Sequence, residues 1–218
     1  DNKGNCIQLI SSNGSTVNMT YDENGNCLSR TSTRIGENGT ETITEFFKYD
    51  LNGNATEIVD AEGNVSRCEY DALNRKIADI SANGARTEYE YDKGGNISLV
   101  RYADGLTESF EYDANGNAIS QITRTGEKVK MSYDKLNRLT EIVYPNGSKE
   151  SFEYDAKGRV LSQTSVNGGK TSYEYDKADR NTSVVDALGN RTEFTYDKGS
   201  RISEIKDARG NIFKMEYD

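Results

Sequence analysis

Residues 154–176 read Tyr-Asp-Ala-Lys-Gly-Arg-Val-Leu-Ser-Gln-Thr-Ser-Val-Asn-Gly-Gly-Lys-Thr-Ser-Tyr-Glu-Tyr-Asp. The stretch opens on one Tyr-Asp pair and closes on the next. The same pair stands at Tyr21-Asp22, Tyr49-Asp50, Tyr70-Asp71, Tyr91-Asp92, Tyr112-Asp113, Tyr133-Asp134, Tyr154-Asp155, Tyr175-Asp176, Tyr196-Asp197 and Tyr217-Asp218. Eight of the nine intervals are 21 residues, and the first is 28. A fixed period of this length marks an array of one repeated supersecondary unit. Such arrays stack neighbour on neighbour instead of packing around one central core.

With the Tyr numbered as slot 1, slot 15 is glycine in every regular repeat: Gly63, Gly84, Gly105, Gly126, Gly147, Gly168, Gly189 and Gly210. Slot 20 is aromatic or soft, as in Cys68, Tyr89, Phe110, Met131 and Phe152. Slots 18, 20 and the next slot 1 share parity, while slot 21 between them is Glu in six regular repeats. Apolar-polar-apolar alternation of this kind predicts a half-buried strand, and Tyr, Phe and Thr suit a pleated surface. A first strand from slot 6 carries Leu139, Ile142 and Val143, or Val160 and Leu161. Its slots 7 and 10 both tend apolar, which breaks parity and predicts a bulge. Each strand is expected to run six or seven residues.

The turns carry their own chemistry. Tyr144-Pro145-Asn146-Gly147 suits a type I turn whose last residue is left-handed. Asp60, Asp186 and Asp207 open equivalent turns, where a short carboxylate accepts local backbone hydrogen bonds. At the Tyr-Asp end, slot 5 is usually Gly or Asn, which tolerate positive φ, and slot 6 is Asn or Arg. Asp179 and Ser200 depart from that rule, and Gly199 sits one residue early, so a differently wound turn is expected there. One repeat is therefore one β-hairpin. The fold expected is all-β: about ten antiparallel hairpins in one long twisted ribbon over residues 1–218, curling into an arc or spiral because strand twist accumulates. A longer hairpin is expected at residues 31–44, with its tip near Arg34 to Thr40. Motif boundaries at both ends make the chain resemble an excerpt of a longer array.

Only 33% of the 218 residues are hydrophobic, and the formal net charge is -9. Mean hydropathy is -0.84. The acidic balance disfavours nucleic acid, whose phosphates need a basic footprint. No apolar run is long enough to span a bilayer as a helix. Cys6 and Cys27 share a slot in successive repeats and would lie about 9.6 Å apart, twice the strand spacing. A disulfide needs Cα atoms within about 7 Å. Free thiols acting as small apolar fillers are expected at Cys6, Cys27 and Cys68.

The pattern Y-D-x-x-[GN]-[NR]…G-x-x-x-x-[YF]-x-Y-D resembles the YD repeat, or Rhs repeat, over essentially the whole chain. That family includes bacterial Rhs and wall-associated toxins, shell components of insecticidal Tc toxins, and animal teneurins. The resemblance implies a strip of hairpins spiralling into a hollow shell, which in the toxin members encloses a C-terminal toxic domain. The family's D-P-x-G-L core motif is not among these residues, so an arc of wall is what the resemblance implies. It implies a secreted or bacterial cell-surface parent protein, with the remaining repeats and a C-terminal domain as partners.

With no His in the chain, imidazole-based triads are excluded. No catalytic residue, cofactor or metal ligand is expected. Asp22-Glu23-Asn24-Gly25-Asn26 is faintly similar to a calcium loop, but the EF-hand's frame and final Glu are missing. Turn chemistry is the plainer reading, and the Glu rows read as a solvated face. The Tyr-Asp pairs and slot-15 glycines are read as structural repeat positions. The leading expectation is a shell or scaffold segment. The competing one is a glycan or cell-surface ligand module built on the tyrosine face. Self-association through edge strands is a further expectation.

Overall fold

The computed structural model describes residues 1–36 and 39–218, with backbone alone for residues 34–36. Among the described residues every regular element is a strand, and the twenty antiparallel strands found there form one open sheet. The chain divides into two compact units, residues 1–107 and 108–218.

The first unit holds β1 (Gln8–Ile10), β2 (Thr16–Tyr21), β3 (Cys27–Gly36), β4 (Gly39–Tyr49), β5 (Ala55–Val59), β6 (Val65–Tyr70), β7 (Lys76–Ile80), β8 (Arg86–Tyr91) and β9 (Ile97–Arg101). At the boundary begins β10 (Thr107–Tyr112). The second unit continues with β11 (Ala118–Ile122), β12 (Lys128–Tyr133), β13 (Leu139–Val143), β14 (Lys149–Tyr154), β15 (Val160–Thr164), β16 (Lys170–Tyr175), β17 (Asn181–Val185), β18 (Arg191–Tyr196), β19 (Ile202–Lys206) and β20 (Ile212–Lys214). Regular repeats thus pair a five-residue first strand with a six-residue Tyr strand, slightly shorter than the six or seven expected.

Parity breaks where the sequence said it would. Tyr154 pairs with Val160, yet Glu153 pairs with Ser162, so Leu161 has no partner of its own. That extra residue reverses the alternation, and Val160 and Gln163 come to share the face of Tyr154 and Phe152. The same shift recurs between β6 and β7, β12 and β13, and β18 and β19.

The described residues build no conventional core. Among the described residues only Ala78 and Val100 are buried apolar side chains. Most of the aromatic face is half-buried, as expected when each hairpin covers only its neighbours.

Strands β3 and β4 run ten and eleven residues and pair from Ser29↔Phe46 to Gly36↔Gly39. Of the tip expected over Arg34 to Thr40, Arg34 to Gly36 and Gly39 to Thr40 continue the two strands, and residues 37 and 38 lie outside the described residues. Thr31 and Thr44 face each other with their hydroxyls 3.1 Å apart.

Candidate functional site: the repeat-to-repeat ladder

Each Tyr-Asp turn is closed the same way. In the turn after β14, Gly158 N–H donates to Asp155 O at 3.1 Å, and Asp155 N–H donates to Arg159 O at 3.0 Å. The Asp155 side chain fills the turn. Its Oδ1 accepts from the Lys157 and Arg159 amides at 2.8 and 3.0 Å, and its Oδ2 accepts from Arg159 Nε at 2.7 Å. Asp22, Asp50, Asp71, Asp113, Asp134, Asp176 and Asp197 repeat this arrangement with Asn or Arg at slot 6. Asp92 is bonded likewise by Asn96. The side-chain and amide donors of Asn54 hold the Asp50 carboxyl below its ordinary range, and those of Arg180 do the same for Asp176.

The slot-6 side chain also reaches forward. Arg159 Nη1 donates to Asp176 O at 3.2 Å in the next turn, and its guanidinium lies 4.6 Å from the Tyr175 ring centre. Arg75 over Tyr91, Arg138 over Tyr154, Arg180 over Tyr196 and Arg201 over Tyr217 repeat the stacking at 4.4 to 4.7 Å. Each such contact adds roughly 0.5–1 kcal/mol where the site is partly solvated. The tyrosine underneath points its hydroxyl back to the start of the preceding first strand. Tyr175 donates to Val160 O at 3.0 Å, Tyr154 to Leu139 O at 2.8 Å and Tyr70 to Ala55 O at 3.0 Å. Tyr21, Tyr49, Tyr91, Tyr133 and Tyr196 make the equivalent bond. Burial raises the phenol pKa at Tyr49, Tyr70 and Tyr133, which keeps them neutral donors.

Slot 5 takes positive φ whatever its residue. Asn74, Asn137, Asp179 and Ser200 sit at φ 60, 59, 65 and 63, where a side chain normally costs about 1–2 kcal/mol. All four are met from the preceding repeat. Asn54 Nδ2 donates to Asn74 Oδ1 at 2.9 Å, and Asn117 Nδ2 to Asn137 Oδ1 at 2.9 Å. Arg159 Nη1 donates to Asp179 Oδ1 at 2.7 Å, and Arg180 Nη1 to Ser200 Oγ at 3.4 Å. The expectation of a differently wound turn at Gly199 is therefore corrected. Ser200 N–H donates to Asp197 O at 3.1 Å, and Asp197 N–H to Arg201 O at 2.9 Å, as in the glycine-bearing turns.

The opposite row of turns holds the slot-15 glycines. Gly63, Gly84, Gly105, Gly126, Gly147, Gly168, Gly189 and Gly210 have φ between 80 and 85, and each amide donates three residues back at 2.8 to 3.0 Å.

The Glu face is more than a solvated surface. Glu153 on β14 and Lys170 on β16 join at 3.0 Å across β15, covering Ser162, whose hydroxyl donates to the same Glu153 oxygen at 2.5 Å. Glu69 and Arg86 bridge β7 over Ala78, which is fully buried, and Glu174 and Arg191 bridge β17 over Ser183. Where slot 9 is itself Glu, the pairing changes. Glu57 takes Lys48 at 2.7 Å and Arg67 at 2.9 Å, and Glu141 takes Lys149 at 3.0 Å.

All three thiols are free, but they are not simple apolar fillers. Cys6 is exposed. Cys27 Sγ donates to Ser29 O at 3.3 Å, and Cys68 Sγ to Asp79 Oδ1 at 3.1 Å. Among the described residues, no group of three or more His, Cys, Asp or Glu is placed to hold a metal ion.

These features define a class of hairpin-repeat wall, and family comparison places it. The Teneurin YD-shell model matches residues 76–167, and the RHS repeat model matches residues 49–81, 154–182 and 177–212. The chain belongs to the YD-repeat, or Rhs-repeat, family. No match is found among curated proteins. Similar solved structures include a TcdB2-TccC3 crystal structure, 13% identical with TM-score 0.46 over 92% of this chain and 18% of that one. The Photorhabdus luminescens Tc holotoxin pore is 14% identical, TM-score 0.41, over 88% of this chain and 15% of that one. A porin-like protein from Bacteroides uniformis is 12% identical, TM-score 0.29, over 88% of each chain. This chain spans less than a fifth of the two toxin chains' lengths.

Proposed function

We propose that residues 1–218 are one stretch of shell wall in a larger secreted or cell-surface Rhs-type protein, enclosing or displaying another domain of the same polypeptide. The observation that carries this reading is the ladder. Its tyrosines, aspartates and slot-6 side chains bind each hairpin to the next, and the same contacts recur along the array. A catalytic or ligand site is usually single. Here the slot-1 Tyr, slot-2 Asp and slot-15 Gly have structural work: holding hairpins to one another and turning the chain. The longer hairpin at 31–44 is a local extension of the wall.

Glycan binding on the tyrosine face is the weaker reading. A sugar needs a free ring face and free hydroxyls. In the five Arg-bearing repeats one face of the next tyrosine lies under a guanidinium, and Tyr154 and Tyr175 spend their hydroxyls on main-chain carbonyls.

Small-angle scattering of the isolated chain tests the wall reading. A compact globule of this length has a radius of gyration of about 17 Å. The expected result is a clearly larger radius with a cross-section one sheet thick. A radius near that of the globule would overturn it.

A further inference from the structure

One place on the aromatic face carries a carboxylate. Opposite pairs of slots 20 and 10 are elsewhere Met19↔Arg30, Phe47↔Ile58, Tyr89↔Val100, Phe110↔Gln121, Met131↔Ile142, Phe152↔Gln163, Tyr173↔Val184 and Phe194↔Ile205. Between β6 and β7 the pair is Cys68↔Asp79, the one small residue against the one carboxylate. The bulge puts slot 7 on the same face, and slot 7 here is Lys76, whose Nζ lies 2.9 Å from Asp79 Oδ1. Cys68 Sγ donates to that same oxygen at 3.1 Å, and Tyr89 OH donates to Oδ2 at 2.8 Å. Three consecutive strands thus converge on one carboxylate.

We propose that the Cys68–Lys76–Asp79–Tyr89 cluster is a register lock that makes the pairing of β6 with β7 specific among hairpins that otherwise closely resemble one another. The six-residue Tyr strands carry the same alternation, so each fits the first strand of several regular repeats. Looping out one repeat, or exchanging hairpins between two chains, would cost little at an ordinary junction. Domain swapping and misassembly are the characteristic failures of repeat proteins. At this junction the exchange is costly on both sides. Pairing β7 with β4 sets Phe47 against Asp79, and pairing β6 with β9 leaves small Cys68 opposite Val100. A buried or half-buried charge in the wrong register loses donors it cannot replace.

The charge states agree with a formed cluster. Burial pushes Asp79 up, but Lys76, Tyr89 and Cys68 outweigh it and hold the carboxyl below its ordinary range. Burial and the Asp79 bond push Tyr89 up to about 12. Lys76 is raised by its bond to Asp79.

The test removes the lock and then moves it. A triple variant, Cys68→Phe with Lys76→Ala and Asp79→Ile, restores the ordinary pattern. It should fold with native-like circular dichroism and an unchanged or higher urea midpoint. On refolding at micromolar concentration it should give a several-fold larger share of swapped dimer by size exclusion and extra slow phases. Adding Phe152→Cys, Val160→Lys and Gln163→Asp rebuilds the cluster beside Tyr173, which stands where Tyr89 does. This relocated lock should bring homogeneous refolding back. Refolding of the triple variant that matches wild type would overturn the proposal. So would failure of the triple variant to fold, which would assign the cluster to stability, and so would a relocated lock without rescue.

Discussion

The two rows of turns use one backbone geometry and differ in what crosses between repeats. On the glycine row, the turns 60–64, 81–85, 165–169, 186–190 and 207–211 make hydrogen bonds only within their own five residues. On the Tyr-Asp row, Arg159 alone touches its own Asp155 and also the Asp176 carbonyl, Asp179 and Tyr175 of the next repeat. The difference explains the sequence. The opening residue varies on the glycine row, as Asp60, Ser81, Tyr102, Thr123 and Tyr144. The Tyr-Asp row keeps its residues because they serve two hairpins at once.

Acid should separate the two rows most. Hydrogen-bond donors depress twelve turn carboxylates, nine on the Tyr-Asp row and Asp60, Asp186 and Asp207 on the other. Folded values below the unfolded value of about 3.9 mean that this stabilisation is present above pH ~4 and is lost as pH falls through the folded values. Amide exchange followed downward from pH 5 should show protection failing first along the Tyr-Asp row. Simultaneous failure of both rows would remove the distinction.

Next in size is Tyr154→Ala, expected to cost about 3 kcal/mol by urea unfolding, through lost ring packing and the bond to Leu139 O. Tyr154→Phe isolates the hydroxyl and should cost about 1 kcal/mol. Equal costs for the two would mean that the ring contributes nothing. On the glycine row, Gly147→Val places a β-branched residue at φ 80 and should cost about 1–2 kcal/mol, with faster exchange in β13 and β14 only. Unchanged protection there would contradict the turn geometry. Smallest is Asp179→Gly, close to neutral, because relief of the positive φ offsets the lost bonds from Arg159 and the exposed Lys157. In an Arg159→Met, Lys157→Met background the same change should stabilise by about 1 kcal/mol. A change that is neutral in both backgrounds would show no coupling between the turns.

Much of this was legible because it is short-range. The hairpin period, the Pro145-Gly147 turn and the bulge implied by slots 7 and 10 all follow from residues within about ten positions of each other. The misses have longer reach. Nothing in Gly199-Ser200 reveals that Arg180, twenty residues earlier, waits for Ser200 Oγ. The stacking of Arg159 on Tyr175 links a turn to the following strand. Ser162 looks like an ordinary exposed polar residue until β14 and β16 place Glu153 and Lys170 over it. Cys68 looked apolar because its partner, Asp79, is defined only once β6 and β7 are in register.

If each hairpin leans only on its neighbours, one whole repeat is dispensable. Deleting Asp134 to Tyr154 joins Tyr133 to Asp155 and leaves every remaining slot in phase. Urea unfolding of that chain, followed by circular dichroism, should give the same strand signal per residue, one cooperative transition and a modestly lower midpoint. A deletion chain that fails to fold, or loses its strand signal, would contradict neighbour-by-neighbour construction.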